Sequence, residues 1–311
     1  MRLKRVAAFD CGTNSLRLLV ADLDPVSGEL TELVREMRIV RLGQGVDRTG
    51  LISAESMDRT LAALDEYAVL VAEHRPELIR FCATSAARDA RNAGDFVAAV
   101  EERIGVVPEV IDGDEEAAAS FAGATRVLVD APAPILVVDI GGGSTELIIG
   151  DAHGAPTAAH SLDIGSVRLT ERHLHDDPPT VDQVADLCAD VDGALDGCRV
   201  DPAEARTVVG VAGSVTTVAA AALELTSYDR ERIHLARLGR DTVRDAVADL
   251  VGMTVAQRRA LGFMHPGRAD VIGAGALILD RVLRRATVEE LVVSESDILD
   301  GIAWSCVERG T

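Results

Sequence analysis

The sequence contains a single lysine, Lys4, among its 311 residues. A Walker-type phosphate loop requires a lysine directly after its glycines, and no glycine-rich stretch of this chain has one. P-loop nucleoside triphosphatases are therefore excluded. Aromatic residues are also scarce, at 3% of the chain, so few side chains are available to stack on nucleic acid bases.

Cysteine pairs and long apolar runs are missing as well. The five cysteines are widely spread and form no Cys-x-x-Cys pair, which indicates neither a disulfide framework nor a cysteine zinc site and favours a reducing compartment. No run of about 18 apolar residues is present, and the first apolar run meets Asp10 too early to form a signal-peptide core. We therefore expect a cytoplasmic protein with no membrane partner.

Positive charge is in deficit, because 31 lysines and arginines stand against 51 acidic residues and give a formal charge of −20. This balance argues against a general binder of nucleic acid, since nucleic acid attracts basic proteins. A polyanionic ligand would have to be met by a local site. The hydrophobic content of 48% is that of a globular protein, and at about 150 residues per domain the length predicts two domains.

Two segments of the chain follow the same plan. Residues 5–10 predict a strand, which is followed by a tight turn and a returning strand at 16–20. Residues 134–150 repeat this arrangement. Asp10 and Asp139 are each followed by a glycine two residues later and a serine five residues later. The sequence therefore predicts a duplicated fold with two related halves.

Strands alternate with helices in the rest of the chain, which indicates mixed α/β sheets. Further strands are predicted at 29–40, 78–83, 106–111, 206–211 and 290–294. Helices are predicted at 53–74, from Thr84 as N-cap, at 94–103, 115–127, 164–174, 180–195, after Gly213, and at 241–251, 269–285 and 297–308. We place one domain at 1–128, with a C-terminal helix at 296–311 packing back on it, and a second domain at 129–295.

Three glycine-rich turns follow buried strands, at 11–15, 141–145 and 210–217. Glycine lets backbone N–H groups approach an anion, and serine or threonine adds a hydroxyl donor. One such turn alone is also typical of an ordinary hairpin. The candidate phosphate-binding residues are Gly12, Thr13, Asn14, Ser15, Arg17, Gly141, Gly142, Gly143, Ser144, Thr145, Gly213, Ser214 and Thr216.

Five segments together resemble the exopolyphosphatase/guanosine pentaphosphatase (Ppx/GppA) family. They are residues 10–17 (DCGTNSLR), 83–90 (ATSAARDA), 112–117 (DGDEEA), 139–146 (DIGGGSTE) and 210–217 (GVAGSVTT). The match runs through the whole chain in order and resembles most the short, two-domain actinobacterial members. Residues 294–301 depart from the Arg-Glu-Gly ending of many relatives, which leaves the packing of the last helix open.

The resemblance implies a duplicated actin-like α/β fold, with two domains around a cleft that holds the active site. It also implies Mg²⁺-dependent removal of the terminal phosphate from inorganic polyphosphate, with Mn²⁺ as a possible substitute. The nearest alternative is the same chemistry on guanosine pentaphosphate (pppGpp). A homodimer is compatible with the resemblance.

The family's catalytic carboxylate falls on Glu116. Phosphoryl transfer to water needs a base that is held near an oriented water molecule. Alternatively, Glu115 and Glu116 only complement the dipole at a helix N-terminus. Arg88 is the second catalytic candidate, because a planar guanidinium matches phosphate oxygens in pairs, although a surface charge is the simpler interpretation.

Asp139 and Glu146 stand at the two ends of the second glycine-rich turn, where a hairpin would bring both carboxylates to one cation. Mg²⁺ takes oxygen ligands and keeps several waters, so two carboxylates and substrate phosphates suffice. A turn-forming aspartate and a solvated glutamate are the alternatives. Asp10 is the corresponding carboxylate of the first half.

The leading hypothesis is therefore an exopolyphosphatase. A sugar or acid kinase of the same superfold, and a non-catalytic sensor of polyphosphate or (p)ppGpp, are the alternatives from other classes. Because aromatics are few, we expect polyphosphate to be favoured over pppGpp, with arginines lining an extended channel rather than scattered as solvated charges. These arginines are Arg35, Arg38, Arg41, Arg80, Arg88, Arg91, Arg230, Arg232, Arg237, Arg240, Arg258, Arg259 and Arg268.

Overall fold

A computed structural model describes residues 3–128, 130–151 and 156–308. The chain divides into two compact units: the first runs up to Gly123 and resumes at Ile298, and the second covers Ala124–Asp297. Residue 129 and residues 309–311, which fall at the ends of two predicted ranges, lie outside the described residues. Throughout the described ranges, every helix is too short or too polar to traverse a bilayer.

The elements alternate along the chain as the sequence predicts. The strands are β1 (Lys4–Cys11), β2 (Ser15–Asp24), β3 (Glu29–Ile39), β4 (Leu78–Ala83), β5 (Glu109–Val110), β6 (Ile135–Ile140), β7 (Thr145–Gly150), β8 (Pro156–Leu162), β9 (Thr207–Val211), β10 (Arg237–Gly239) and β11 (Glu290–Val293). The helices are α1 (Val46–Thr49), α2 (Ala54–His74), α3 (Ser85–Asp89), α4 (Ala93–Ile104), α5 (Gly113–Thr125), α6 (Ser166–His173), α7 (Val181–Asp196), α8 (Ala212–Ala222), α9 (Arg230–Ile233), α10 (Arg240–Gly252), α11 (Val255–Arg259), α12 (Ile272–Arg285) and α13 (Ile298–Glu308).

The first unit is built on a five-stranded sheet with the order β3-β2-β1-β4-β5. β1 is apolar on both faces because both faces are covered. On one face, Ala7 and Phe9 belong to a core cluster with residues of α2 and α4. On the other face, Val6 and Ala8 pack with residues of α13. The central strand β1, in which Asp10 is the next-to-last residue, is therefore held between two layers of helices.

The second unit repeats this plan on a six-stranded sheet with the order β10-β11-β9-β6-β7-β8. In the first unit β1 pairs antiparallel with β2 and parallel with β4; in the second, β6 pairs antiparallel with β7 and parallel with β9. The predicted fold class, a duplicated actin-like α/β fold, is confirmed. The predicted strand at 106–111 is wrong in length, because only Glu109–Val110 pairs with the sheet.

The segment that departs from the family's usual ending fixes α13 in the first unit. Asp300 accepts hydrogen bonds from Arg35 Nη2 at 2.8 Å and Arg35 Nη1 at 3.3 Å, which ties α13 to β3. A Cβ atom added at Gly301 would lie 1.9 Å from the carbonyl oxygen of Ala119 in α5. α13 and α5 thus approach so closely that only glycine fits at this position.

Replacing Gly301 with alanine is expected to destabilise the protein, because the obstructing atom is backbone and the two helices must separate. Overpacking of this kind costs about 1–3 kcal/mol, and the midpoint of thermal unfolding should fall by several degrees. Gly94→Ala is the matched control, since a Cβ added at Gly94 meets no atom within 4 Å. Equal unfolding midpoints for the two variants would contradict the close approach.

Candidate active site

The first unit holds the two predicted catalytic residues in contact. Glu116 lies in the first turn of α5, which Asp112 caps by accepting a hydrogen bond from the Glu115 N–H at 2.9 Å. Only 7% of Glu116 is exposed. Arg88 Nη1 donates to Glu116 Oε2 at 2.6 Å and to the carbonyl of Ile111 at 2.9 Å. The carboxylate is therefore buried and held in one orientation.

Thr84 is a third member of this group. The sequence predicted Thr84 as the N-cap of a short helix, and it does stand before α3, but its side chain makes no capping hydrogen bond. Its hydroxyl instead donates to Glu116. A buried carboxylate is costly without donors, so the hydroxyl serves Glu116 rather than the end of α3.

The pKa of Glu116 is raised above its ordinary value, and burial is the main cause. Arg88 and Thr84 lower this pKa and the nearby Asp10 carboxylate raises it, but these contributions do not cancel the effect of burial. A carboxylate that merely complements a helix N-terminus is usually solvated and stabilised in its charged form. The arrangement around Glu116 favours a proton acceptor over that simpler role.

The first hairpin pairs an acid with a base. Asp10 lies directly opposite Arg17 across β1 and β2, and Asp10 Oδ2 accepts from Arg17 Nη2 at 2.7 Å and from Arg17 Nε at 2.9 Å. In the turn between them, Gly12 N–H donates to the carbonyl of Ser15 at 2.9 Å. The charge of the Asp10 carboxylate is thereby balanced within the hairpin.

Thr13 and Asn14 complete this turn. Their carbonyls are fixed from behind, by the N–H groups of Gly43 and of Val40 and Arg41 respectively. The buried Thr13 Oγ1 and Asn14 Oδ1 have no hydrogen-bond partner among the described residues. Such orphaned buried atoms are rare in folded proteins, and here they are consistent with a turn that contacts a ligand.

The second hairpin has two acids where the first has an acid and a base. Asp139 lies directly opposite Glu146 across β6 and β7, so their side chains are neighbours on one face. Both are buried, with 6% of Asp139 and 1% of Glu146 exposed. Ser161 Oγ donates to Glu146 Oε1 at 2.7 Å. Adjacent carboxylates offer the oxygen ligands that a hard divalent ion takes, and this donor set fits such an ion.

The glycine turn of this hairpin has its carbonyls held by the start of α6. The contacts are Ser166 N–H to the Gly141 carbonyl at 3.0 Å, Val167 N–H to the Gly142 carbonyl at 2.8 Å, and Arg168 Nε to the Gly143 carbonyl at 2.7 Å. Because the C=O and N–H of a trans peptide unit point in opposite directions, the N–H groups that follow are directed away from α6. The turn thus presents donors on one side, as an anion site requires.

The side chain of Thr145 makes a hydrogen bond within the protein. It is fully buried, and its Oγ1 donates to the carbonyl of Ile164 at 2.6 Å. The hydroxyl expected to contact phosphate therefore braces the glycine turn from the α6 side.

The third predicted turn is the start of a helix. β9 runs into α8 at Ala212, whose φ of 67° is in the left-handed region, and Gly213, Ser214 and Thr216 occupy the first turns of α8. Arg268 lies against this start, since a Cβ at Gly213 would be 2.1 Å from Arg268 Nη2. The N-terminal N–H groups of α8 and a guanidinium thus occur together, an arrangement suited to an anion.

The expected arginine channel is wrong for several of its members, which make structural contacts instead. Arg35, Arg38 and Arg80 form ion pairs with carboxylates in the first unit. Arg258 is buried and donates to the carbonyls of Leu250, Val251 and Ala269. In a chain with far more acids than bases, a count of arginines does not show which guanidinium groups are already paired.

Comparisons with known proteins identify the family of the chain. The profile of the Ppx/GppA phosphatase family matches residues 19–309. The chain is 49% identical to Exopolyphosphatase 2 of Mycobacterium tuberculosis over 98% of this chain and 99% of that protein, and 31% identical to Exopolyphosphatase 1 of the same organism over 96% and 87%.

Two solved structures share its fold closely. The crystal structure of an exopolyphosphatase-like protein has a TM-score of 0.94 and 43% identity, covering 99% of this chain and 100% of the other. The structure of an exopolyphosphatase from Cytophaga hutchinsonii has a TM-score of 0.88 and 27% identity, covering 98% of each chain. With the family profile spanning nearly all of its length, the chain belongs to the Ppx/GppA phosphatase family.

Proposed function

We propose that the protein is an exopolyphosphatase, which uses water to release orthophosphate from the end of inorganic polyphosphate. The observation that carries the proposal is the buried Glu116 carboxylate with a raised pKa, held by Arg88 and Thr84. The names of its relatives, Exopolyphosphatase 1 and 2, support the same activity.

In this reaction Glu116 accepts a proton from the attacking water as the new O–P bond forms. The bridging P–O bond then breaks, and the shortened chain leaves with the electron pair. Arg88 and Thr84 keep the carboxylate oriented, so that little reorganisation is needed at the moment of attack. The N–H groups of the glycine turns bind the phosphate oxygens, where negative charge has to be stabilised.

Phosphatases of this family generally depend on a divalent metal, and we propose Mg²⁺, with Mn²⁺ as a substitute. Asp139 and Glu146 would hold it. Mg²⁺ keeps several waters and takes phosphate oxygens as ligands, so a pair of protein carboxylates suffices. When bound, the ion neutralises charge on the substrate. Asp10 is a poorer candidate ligand, because Arg17 balances its charge.

The raised pKa of Glu116 predicts the acid limb of the pH profile. The base is active when deprotonated, so kcat/KM should fall as the pH decreases through the pKa of Glu116 in the free enzyme. Burial places this limb above the ordinary glutamate value of 4.5. Thr84→Val removes a donor that lowers the pKa, so the limb should move to higher pH. A limb at or below the ordinary value, unmoved by Thr84→Val, would contradict this assignment.

Polyphosphate should be preferred to pppGpp. Of the eight aromatic residues, all of which lie in the described ranges, only Tyr228 has more than a third of its surface exposed, at 42%. Its hydroxyl is committed to Glu295 Oε1 at 2.5 Å. Stacking on a base is worth about 1–3 kcal/mol, and the chain offers little surface for it. Backbone donors in the turns, by contrast, suit any phosphate terminus.

The test is orthophosphate release from long polyphosphate, short polyphosphate, pppGpp and ATP at equal concentrations of chain ends, compared by kcat/KM. The highest value is expected for a polyphosphate. A higher value for pppGpp would establish the second candidate function, which is favoured by 30% identity to a guanosine-5'-triphosphate,3'-diphosphate pyrophosphatase of Vibrio cholerae over 97% of this chain and 59% of that protein. Phosphate transfer from ATP to an added acceptor would indicate a kinase.

A cytoplasmic location is part of the proposal. The five cysteines, which all lie in the described ranges, are thiols rather than disulfides, and thiols remain reduced in the cytosol.

A further inference from the structure

Arg80 is a buried charge that no step of the proposed reaction uses. It lies in β4 with 7% of its surface exposed, and burying a guanidinium is costly unless it is paired and hydrogen-bonded. All three of its nitrogens donate. The contacts are Nε to Glu109 Oε1 at 3.1 Å, Nη2 to Glu109 Oε2 at 2.8 Å, Nη2 to Glu115 Oε1 at 2.6 Å, and Nη1 to Ser305 Oγ at 2.7 Å.

These contacts join four elements around the start of α5. Glu109 belongs to β5, Glu115 to the first turn of α5, and Ser305 to α13. Ser305 Oγ in turn donates to the carbonyl of Ile302 at 2.6 Å, so the position of this oxygen is fixed by its own helix. Arg80 therefore clamps the first turn of α5 between β4 and α13.

The clamp acts on the residue next to the proposed base. Successive residues of an α-helix project about 100° apart, so Glu115 and Glu116 leave the first turn of α5 in different directions. Glu115 meets Arg80 and Glu116 meets Arg88. Two guanidinium contacts in different directions restrain the rotation of this turn about the helix axis more than either contact would alone.

The residues that contact Glu115 and Glu116 come from one short stretch of chain. Arg80, Thr84 and Arg88 follow one another at intervals of four residues, through the end of β4 and into α3. Arg80 holds Glu115, while Thr84 and Arg88 hold Glu116. The residues that contact the Glu116 carboxylate, Thr84 and Arg88, therefore follow closely in sequence after Arg80, which holds the first turn of α5.

We propose that Arg80 is a positioning residue, which sets the direction of the Glu116 carboxylate through Glu115 and couples α13 to it through Ser305. The proposal rests on the proposed role of Glu116 as the base. Arginine suits this task because its planar fork serves two carboxylates and a hydroxyl at once, whereas an ammonium group is a point charge without fixed directions. Misplacement of a catalytic group by about 1 Å can cost 10²-fold in rate.

The test is Arg80→Lys, which keeps the charge and loses the fork. We expect kcat on polyphosphate to fall about 10- to 100-fold with KM unchanged, because Arg80 does not contact the substrate in this proposal. Arg35→Lys is the matched control: Arg35 is also a largely buried guanidinium paired with two carboxylates, one of them Asp300 in α13, and neither is in α5. It should lose comparable thermal stability and keep its kcat.

Equal losses of kcat in Arg80→Lys and Arg35→Lys would overturn the proposal, since loosening α13 alone would then explain both. A raised KM with unchanged kcat would also overturn it. If Arg80→Lys does not fold, Glu115→Gln is the alternative test, because it weakens the contact between Arg80 and α5 from the α5 side. A lower kcat with unchanged KM in Glu115→Gln would support the positioning role of Arg80. An unchanged kcat would refute it.

Measurements on Glu116→Gln separate this proposal from the proposed function. In that background the clamp has no base to position, so adding Arg80→Lys should cause little further loss of the residual rate. If Glu116→Gln retains the wild-type rate, the assignment of the base is wrong. If Glu116→Gln is inactive and Arg80→Lys retains its kcat, only the positioning role of Arg80 is refuted.

Discussion

Glu116→Gln is expected to lower kcat by about 10²–10⁴-fold, the usual effect of removing a general base, while substrate binding is retained. Glutamine has the size of glutamate and still accepts hydrogen bonds from Arg88 and Thr84, but it does not take a proton from water. kcat and KM on polyphosphate, together with the unfolding midpoint, give the measurement. A near wild-type rate in Glu116→Gln, with a large loss in Glu115→Gln, would show that the base is the neighbouring carboxylate.

The same variant should not lose stability near neutral pH. Because burial raises the pKa of Glu116, the folded state binds more protons than the unfolded state as this group titrates. Stability from this group is therefore present at low pH and is lost as the pH rises through the folded pKa. Glutamine stays neutral throughout, so the unfolding midpoint of Glu116→Gln should depend less on pH than that of the wild type.

Removal of divalent metal is expected to abolish hydrolysis, and added Mg²⁺ or Mn²⁺ to restore it. The reason is the adjacent buried pair of Asp139 and Glu146, which offers carboxylate oxygens of the kind that Mg²⁺ takes and would hold the ion that neutralises the phosphate. Asp139→Asn removes half of the ligand charge, so the metal concentration that gives half-maximal activity should rise. Undiminished hydrolysis in excess chelator would refute the metal site.

The duplication supplies the control for this experiment. Asp10 occupies the matching place in the first hairpin, but it faces Arg17 instead of an acid. Asp10→Asn should leave the metal concentration for half-maximal activity unchanged, whatever it does to kcat. If Asp10→Asn and Asp139→Asn raise the metal concentration for half-maximal activity equally, the assignment of the metal site to the second hairpin is refuted.

Local sequence predicted the buried centre of each sheet better than its edges. The apolar runs that form β1 and β6 are unmistakable, because both faces of these strands are covered. β8 (Pro156–Leu162) was not predicted, since its small and polar residues show no apolar alternation and its position depends on pairing with β7. The three-residue β10 depends in the same way on β11.

The sequence predicted those residues of the candidate site that belong to sequence motifs. The spacing of Asp139 and Glu146 in a hairpin was enough to predict that their side chains meet, while the roles proposed for Glu116 and Arg88 came from the family resemblance. The contacts of Thr84 with Glu116 and of Ser161 with Glu146 were missed. They join residues far apart in sequence, and no local pattern indicates which of many hydroxyls a buried carboxylate will recruit.

The return of α13 to the first sheet has a consequence for how the protein is made. The first unit lacks one of its layers until residues 298–308 have been synthesised, after the whole of the second unit. Until then, the face of the sheet that contains Val6, Ala8 and Leu19 has no α13 to cover it. Exposed apolar faces of incomplete domains are prone to aggregation. The second unit can therefore fold while the chain is still growing, whereas the first unit, which carries Glu116, is completed last.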